Sequence, residues 1–277
     1  MINFNEIDVT VNGTGILSEN ATVSANNNLF SVYGLGRRNL APQAINGPFQ
    51  GNMQFDYILD IAYEPNQPIT TTLKNTFPLF HHEPSRISIA GLTGFAYLDS
   101  YSINISPNNP GKATASYTTF TPFSGALAPK KGNFPYNTSG IIALSHGWST
   151  KISTSDEAFS FPTFEFNYNF QANWQPVYVI GKTIPTQIHL MSIEENISIS
   201  KDFYKNIQLA GQEGWQFLNF GFGPNANISL VALYGETIGG QPPVINININ
   251  GMKVTSSKLS AGLNDIVKNT VELRRNY

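Results

Sequence analysis

The chain has 277 residues, no cysteine, a formal net charge of −2, and charged side chains at only 12% of its positions. The lack of cysteine excludes disulfides, thiolate catalysis and cysteine-ligated metal sites, and the near-zero net charge gives no electrostatic basis for tight binding to nucleic acid or anionic membranes. The first residues, from Met1 to Glu6, do not resemble a secretory signal, and no apolar run is long enough to span a membrane, so we expect no membrane association.

Alternation of apolar and polar residues with a period of two indicates β-strands in residues 7–11, 101–105 and 244–249. Residues typical of turns separate such segments, at Asn12-Gly13, Asn46-Gly47, 107–111 and Asn250-Gly251. Helical periodicity is weak, and its two short candidates lie in 71–74 and 200–209. The sequence therefore predicts a mainly β protein with short helices in connecting loops.

The chain also repeats itself. Residues 99–117 align without gaps on 255–273, and both predict a strand, a turn around Asn108-Asn109 or Asn264-Asp265, and a returning strand. Upstream, 42–47 aligns with 176–181. Each of these segments follows an aromatic strand (29–33 or 164–170) and precedes a long strand (52–61 or 186–193). The two halves also have similar openings, at 15–24 and 142–153.

These alignments give an offset of 134 residues early in the repeat and 156 late, which puts 22 extra residues of the second copy within 194–244. A stretch rich in proline and glycine lies between the copies and predicts a linker. We therefore predict two tandem diverged domains of β-sandwich or β-barrel type, namely 1–125 and 141–277 with the linker 126–140, the second domain carrying the longer insertion.

Several stretches resemble the tail tube proteins of long-tailed bacteriophages and their relatives in contractile injection systems. They are two loop-like segments, two strands and the closing hairpin: 15–24, 32–36, 46–48, 54–59 and 98–120. The duplication is similar to that of members with two tube domains in one chain. The resemblance implies a non-enzymatic virion protein whose trimers form stacked pseudo-hexameric rings around a lumen for DNA, without cofactors.

The same resemblance implies partners and a location. The partners are other copies of the chain and further tail proteins such as the tape measure, terminator and tail-tip components, with DNA only in transit. The location is the virion tail, assembled in the host bacterial cytoplasm. Two alternatives stay open, a distal tail or hub protein of the tail tip and a carbohydrate-binding β-sandwich module.

Assembly physics is compatible with this composition. The uncharged alternating segment 244–249 would promote aggregation as an exposed edge strand, whereas in a ring such an edge pairs with a neighbour. A lumen that lets DNA slide needs a neutral or slightly acidic wall. We further expect the loops 63–86 and 200–243 to hold neighbouring rings together.

Candidate catalytic groups are few. His81-His82-Glu83 has no ligand partner at a suitable spacing and is interpreted as a polar loop, and His146 and His189 are isolated. Other candidates lack the flanking pattern that their chemistry needs; they are the glycine-rich segment 32–38, the acidic pairs Glu194-Glu195 and Asp156-Glu157, and Ser145-His146-Gly147. No catalytic, cofactor-binding or metal-ligating residue is predicted.

Alternating aromatic residues form the last candidate. They are expected to share one face of one strand, which favours core or inter-ring packing over a sugar-stacking face; they are Phe159, Phe161, Phe164, Phe166, Tyr168 and Phe170.

Overall fold

The structure is a computed structural model, and it describes residues 9–16, 18–32, 43–58, 60–61, 83–106, 109, 111–128, 141–142, 148–153, 158–162, 165–202, 225–232, 245–260 and 268–276. Within these ranges the chain forms strands and connecting turns without a helix, which confirms the predicted mainly β class. The strands are β1 (Val9–Val11), β2 (Thr14–Ile16), β3 (Ser18–Val32), β4 (Gln43–Ile58), β5 (Asp60–Ile61), β6 (Ser85–Ile89), β7 (Leu92–Ile105), β8 (Lys112–Thr119), β9 (Ile141–Ile142), β10 (Trp148–Ser153), β11 (Ala158–Pro162), β12 (Glu165–Val177), β13 (Gln187–Asp202), β14 (Asn225–Ala232), β15 (Ile245–Ser260) and β16 (Lys268–Asn276).

Seven strands of the first half pair in one continuous antiparallel order, β3-β4-β8-β7-β6-β1-β2, which we call the first unit. Its β1–β2 hairpin turns at Asn12-Gly13, where both residues have positive φ (51° and 85°), as the Asn-Gly dipeptide predicted. A second two-residue turn with positive φ, Ala90-Gly91, joins β6 to β7.

Seven strands of the second half pair in the same order, β12-β13-β16-β15-β14-β10-β11, which we call the second unit. Each strand corresponds to the strand at the same place in the first unit, so β12 matches β3 and β15 matches β7. The units join where β12 pairs with the C-terminal part of β7, so that fourteen strands form one sheet. A separate two-stranded sheet pairs β5 with β9.

The closing hairpins match residue by residue, which confirms their gapless alignment. Ile103 pairs with Ala113 in the first unit, and Leu259 pairs with Asn269 in the second, both at the offset of 156. Even the irregularity is shared, because the register shifts between Leu98 and Ser100 and again between Val254 and Ser256.

The upstream alignment is wrong by about ten residues. Ile58 pairs with Lys112, and Asp202 pairs with the equivalent Lys268, so β4 corresponds to β13 at an offset of 144 instead of 134. The segment 42–47 runs into β4, whereas 176–181 ends β12 and enters the next turn, because a proline and a glycine at equal spacing serve both settings. The openings are also mismatched, since β10 corresponds to β1 instead of β2 and β3.

The longer insertion of the second unit lies within the predicted range, in the β14–β15 connection. The equivalent connection in the first unit is the two-residue turn Ala90-Gly91, whereas residues 233–244 separate β14 from β15. The offset changes from 144 at β13 to 156 at β16, so the net insertion is 12 residues instead of 22.

Two of the predicted Asn-Gly turns are irregularities inside long strands. Asn46-Gly47 lies within β4 where its register with β3 shifts, and Asn250-Gly251 lies within β15 where its register with β14 shifts. Gly251 has a φ of 74°, a conformation that glycine adopts in bulges as readily as in turns, so the dipeptide alone could not distinguish the two.

Two further predictions concern single segments. Residues Ile245 to Ile249 pair with β14 on one side, whereas the described pairing of β15 with β16 begins at Lys253, so pairing of this segment with a neighbour in a ring stays a prediction. The helix candidate 200–209 begins inside a strand, since Ser200 to Asp202 close β13 against β16, while the other candidate, 71–74, lies outside the described residues. The predicted domain boundaries stay a prediction.

The core follows from alternation along these strands. Inward residues of both units form one apolar cluster that continues across the β7–β12 junction, where Phe166, Tyr168 and Phe170 lie beside Ile105, Ile103 and Tyr101. Because side chains alternate between the two faces of a sheet, the residues between them point to the opposite, polar face.

Candidate functional site

The polar sheet face is the surface opposite the core on β3, β4, β8, β7, β12, β13 and β16. Strand register groups its side chains into rows across both units, and nearly all are uncharged Asn, Gln, Ser or Thr in the middle strands. The middle rows contain Asn52, Gln54, Asp56, Thr114, Ser116, Thr118, Ser100, Ser102, Asn104, Asn167, Asn169, Gln171, Glu194, Asn196 and Ser198. The result is a broad hydrogen-bonding surface with little charge.

Three cations on this face lie beside carboxylates. The Nζ atoms of Lys112 and Lys268 lie 2.7 and 3.1 Å from carboxylate oxygens of Glu19 and Glu165. A guanidinium nitrogen of Arg274 lies 2.7 Å from an oxygen of Glu194. These exposed pairs contribute little to stability, but they lower the positive potential that the face presents to a polyanion.

An open depression of about 330 Å³ lies on the polar sheet face at the centre of the fourteen-stranded sheet. It spans the β7–β12 junction and therefore takes residues from both units; its polar lining includes Ser100, Ser102, Thr114, Asn169, Gln171, Glu194 and Asn196. A shallow hydroxyl and amide lining of this kind has the chemistry of a solvated wall more than that of an enclosed ligand site.

The β7–β12 junction, which we call the joint, is bonded on both faces. On the polar face the Asn104 amide nitrogen donates to the Asn167 side-chain oxygen at 2.7 Å. At the end of the joint the Trp174 indole N–H donates to the Leu98 carbonyl at 2.8 Å, and its ring lies 4.7 Å from that of Tyr97. Backbone pairing from Ser100 to Ile105 therefore has side-chain support on either side.

The described strand pairing stops at two edges, one in each unit. β3 lies at one end of the sheet, and β4 is the strand that pairs with it in the described part of the chain. On β15, pairing with β14 ends at Lys253, although the strand continues to Ser260. These positions correspond to the two strands of the joint, β12 and β7.

A buried polar network crosses the core of the second unit. The Tyr168 hydroxyl donates to Glu195 at 2.9 Å, and Arg275 donates to the other oxygen of the same carboxylate and to the Asn250 carbonyl. Glu195 is fully buried, whereas the Arg275 side chain is 16% exposed. The pKa of Tyr168 is raised far above its ordinary value, mainly by burial and secondly by the charge of Glu195. The Tyr168 hydroxyl therefore stays protonated and remains a hydrogen-bond donor.

A second buried pair lies in the first unit. The hydroxyls of Tyr57 and Tyr101 are 2.6 Å apart, so one donates to the other. Burial raises the pKa of Tyr101 to about 12 and raises that of Tyr57 well above its ordinary value. Both hydroxyls stay protonated at neutral pH, which suits a structural role.

The predicted candidate groups are not brought together as a reactive set in the described residues. Glu194 and Glu195 point to opposite faces, one exposed beside Arg274 and one buried, so they are not a pair of acids around one substrate. His189 and Glu83 are exposed. The remaining candidates lie outside the described residues: His81, His82, Ser145, His146, Gly147, Asp156, Glu157 and 33–38.

The aromatic series divides between two strands. Phe159 and Phe161 belong to β11, which pairs with β10, whereas Phe166, Tyr168 and Phe170 belong to β12. The prediction of one strand is therefore wrong, but the prediction of core packing is confirmed for the β12 residues, which are at most 2% exposed. Their burial excludes a sugar-stacking role for these three rings. Phe164 lies outside the described residues.

Sequence reasoning missed the buried ion pair and the joint. A signal for Glu195 was available, because Ile193, Ile197 and Ile199 place it in the inward phase of β13. Its partner could not be inferred, because Arg275 approaches through the pairing of β13 with β16, 80 residues away in sequence.

Among the described residues, no group of three or more His, Asp or Glu side chains could hold a metal ion. The same residues contain no helix long and apolar enough to cross a membrane.

No protein-family model and no curated protein matches the chain. Among solved structures, the chain is similar to one in the cryo-EM structure of the anti-feeding prophage (AFP) baseplate, 6-fold symmetrised. The match has 15% sequence identity and a TM-score of 0.33, and it covers 50% of this chain and 96% of the other. At this level the similarity supports no inference about function.

Proposed function

We propose that the chain is a structural subunit of a phage-like tail tube, in which copies join edge to edge into rings and the rings stack. Three chains would supply six units per ring and form a pseudo-hexamer. In this proposal the protein is not an enzyme and needs no cofactor. Its partners are other copies, further tail components and DNA in transit.

The observation that carries the proposal is the joint. Two units with the same strand order lie side by side through the pairing of β7 with β12. The first unit also has an edge strand equivalent to β12, namely β3, and the second unit has one equivalent to β7, namely β15. A contact between two different surfaces, repeated from copy to copy, generates a ring when the rotation closes. The chain thus contains one complete example of the contact that a ring repeats.

The polar sheet face supports the second part, passage of DNA. Affinity for the DNA backbone rises with the number of phosphates that cations neutralise. Hydroxyl and amide side chains dominate the middle of this face, and its cations Lys112, Lys268 and Arg274 are engaged by carboxylates. A wall of this composition gives a sliding polyanion few places to bind.

The first experiment is microscopy of the purified full chain at increasing concentration, together with light scattering to obtain the particle mass. We expect rings or tubes with a central hole, threefold or sixfold symmetry and a mass of three chains per ring. Particles that stay monomeric up to the highest concentration reached would contradict the proposal.

The two alternatives predict different results. A distal tail or hub protein would form single rings that do not stack into tubes of uniform diameter. A carbohydrate-binding module would stay monomeric and show a higher melting temperature in the presence of a glycan, because a ligand that binds the folded state stabilises it.

A further inference from the structure

We propose that a second copy of this chain binds through its β3 edge to the β15 edge, in the same register as the joint within the chain. The inference rests on the proposed function, which requires contacts between copies, and it specifies which strands and which residues meet. The occupant of both edges is therefore another copy, attached head to tail.

The first step identifies the residues of β3 that correspond to β12. Ala25 pairs with Gly51, which pairs with Thr119. In the second unit Phe170 pairs with Glu195, which pairs with Arg275. Since Thr119 and Arg275 are equivalent in the closing hairpins, β3 corresponds to β12 at an offset of 145 (25 to 170).

The second step concerns the other strand. β7 pairs with β6 as far as Ala96 and, beyond the register shift, with β12 from Ser100. β15 pairs with β14 as far as Lys253 and has the equivalent register shift, after which it continues to Ser260. The C-terminal part of β15 thus occupies the place that β12 covers on β7.

Transfer of the register gives defined partners. Asn104 and Asn167 face each other in the joint, and their equivalents are Ser260 and Thr22. The other pairs follow in steps along both strands: Val23 with Leu259, Ser24 with Lys258, and Asn26 with Ser256. The outward pairs are polar, as in the joint, where the side chain of Asn104 donates a hydrogen bond to the side chain of Asn167.

Burial on the inward face supports an occupant at β3. Phe166 and Tyr168 of β12 are fully buried beneath the joint, whereas the equivalent residues Ala21 and Val23 remain partly exposed. Covering them with the inward residues of a second chain would complete the core at that edge. The two edges are six strands apart within one chain, on opposite sides of β4, β8, β7, β12, β13 and β16, so the strand that meets each edge comes from a neighbour.

The test is disulfide crosslinking, because the chain has no native cysteine. The variant Thr22→Cys/Ser260→Cys is oxidised at a concentration where assemblies form, and covalent multiples of the chain are measured on a non-reducing gel. The calibration pair Asn104→Cys/Asn167→Cys has the same geometry within one chain and should close without an increase in mass. The matched control is Thr22→Cys/Lys258→Cys, which is two residues out of register.

We expect covalent dimers and higher multiples from the first variant and at least about tenfold fewer from the shifted control, because disulfides require Cα atoms within about 7 Å. Equal crosslinking of both pairs, or none for Thr22/Ser260 while the calibration pair closes, would overturn the proposed register. Rings that form in microscopy without this crosslink would leave the proposed function standing and reject these edges, whereas the absence of both rings and crosslink would reject both.

Discussion

At one equivalent position in the core, the two units have side chains of different chemistry. In the first unit the paired residues are Gly51 and Thr119, and a Cβ atom on Gly51 would lie 2.7 Å from Cζ of Phe123. In the second unit the equivalent residues are Glu195 and Arg275, which form a buried ion pair. The backbone ladder therefore specifies the position of a side chain but not whether a ring or an ion pair fills the space.

The difference shows where each unit is sensitive. An aromatic ring packed against glycine depends on steric fit, so it is vulnerable to added volume. A buried carboxylate depends on its cation and donors, so it is vulnerable to the loss of either one. Equivalent positions in a duplicated fold can thus fail for opposite reasons.

The largest effect is expected for Arg275→Ala, which leaves the buried carboxylate of Glu195 without its cation. Breaking a buried pair from one side costs about 3–5 kcal/mol of unfolding free energy, measurable by urea denaturation. The matched control is Arg274→Ala, because Arg274 is the neighbouring residue and its pair with Glu194 is exposed on both sides. That change should cost less than about 1 kcal/mol.

Two further results would sharpen this comparison. The double variant Glu195→Leu/Arg275→Met should recover most of the lost stability, because it removes both charges together. An Arg275→Ala protein as stable as the Arg274→Ala control would mean that the carboxylate does not depend on its cation, and the contrast between the units would be lost.

The next effect is expected for Gly51→Ala in the first unit. The added methyl group would lie 2.7 Å from Phe123 and 2.9 Å from Cγ2 of Thr119, and overpacking of this kind costs about 1–3 kcal/mol in a denaturation experiment. Combining it with Phe123→Leu should make the cost smaller than the sum of the two single changes. Strict additivity would show that Phe123 is not the residue that makes glycine necessary.

A third prediction concerns alkaline pH. Burial raises the pKa of Tyr101 to about 12 and raises those of Tyr57, Tyr117 and Tyr168 as well. Tyrosine ionises near pH 10 in the unfolded chain, so the stability contributed by the neutral phenols is complete below pH 10 and decreases as pH rises from about 10 towards 12.

The measurement is the free energy of unfolding between about pH 7 and 11.5. Tyr101→Phe should make the decline above pH 10 shallower by up to about 1.4 kcal/mol per pH unit, because one group fewer ionises on unfolding. The values below pH 9 provide the internal control and should be independent of pH in this respect. Equal declines above pH 10 for the wild type and Tyr101→Phe would show that ionisation of Tyr101 does not cause this loss of stability.

The smallest effect is expected at the joint. Trp174→Phe removes the N–H group that donates to the Leu98 carbonyl but keeps an aromatic ring beside Tyr97, so the cost should be about 1 kcal/mol. Tyr97→Phe, which keeps the ring contact, serves as the control and should cost less. A Trp174→Phe protein as stable as the wild type would show that this hydrogen bond does not stabilise the joint.

Local patterns predicted the parts of the fold that depend on nearby residues. The closing hairpins could be aligned to the residue because strand, turn and returning strand are contiguous in sequence. The Asn46-Gly47 and Asn250-Gly251 predictions were wrong because an Asn-Gly dipeptide can lie at an irregularity within a long strand as well as in a turn.

The parts that depend on distant pairing could not be predicted. The order of strands in the sheet, and the joint above all, depends on contacts between β7 and β12 that no local periodicity encodes. For the same reason the inward phase of Glu195 was visible in the sequence, but its partner Arg275 was not. The predicted lumen wall and inter-ring loops stay predictions.

The joint also restricts the number of units that a closed ring can contain. In an assembly that repeats it between chains, units arrive two at a time, so a closed ring contains an even number of them and cannot lose or gain a single unit. Half of the contacts form as each chain folds and cost no translational or rotational freedom when chains meet. Errors in ring size can then arise only at the remaining half, where separate chains join.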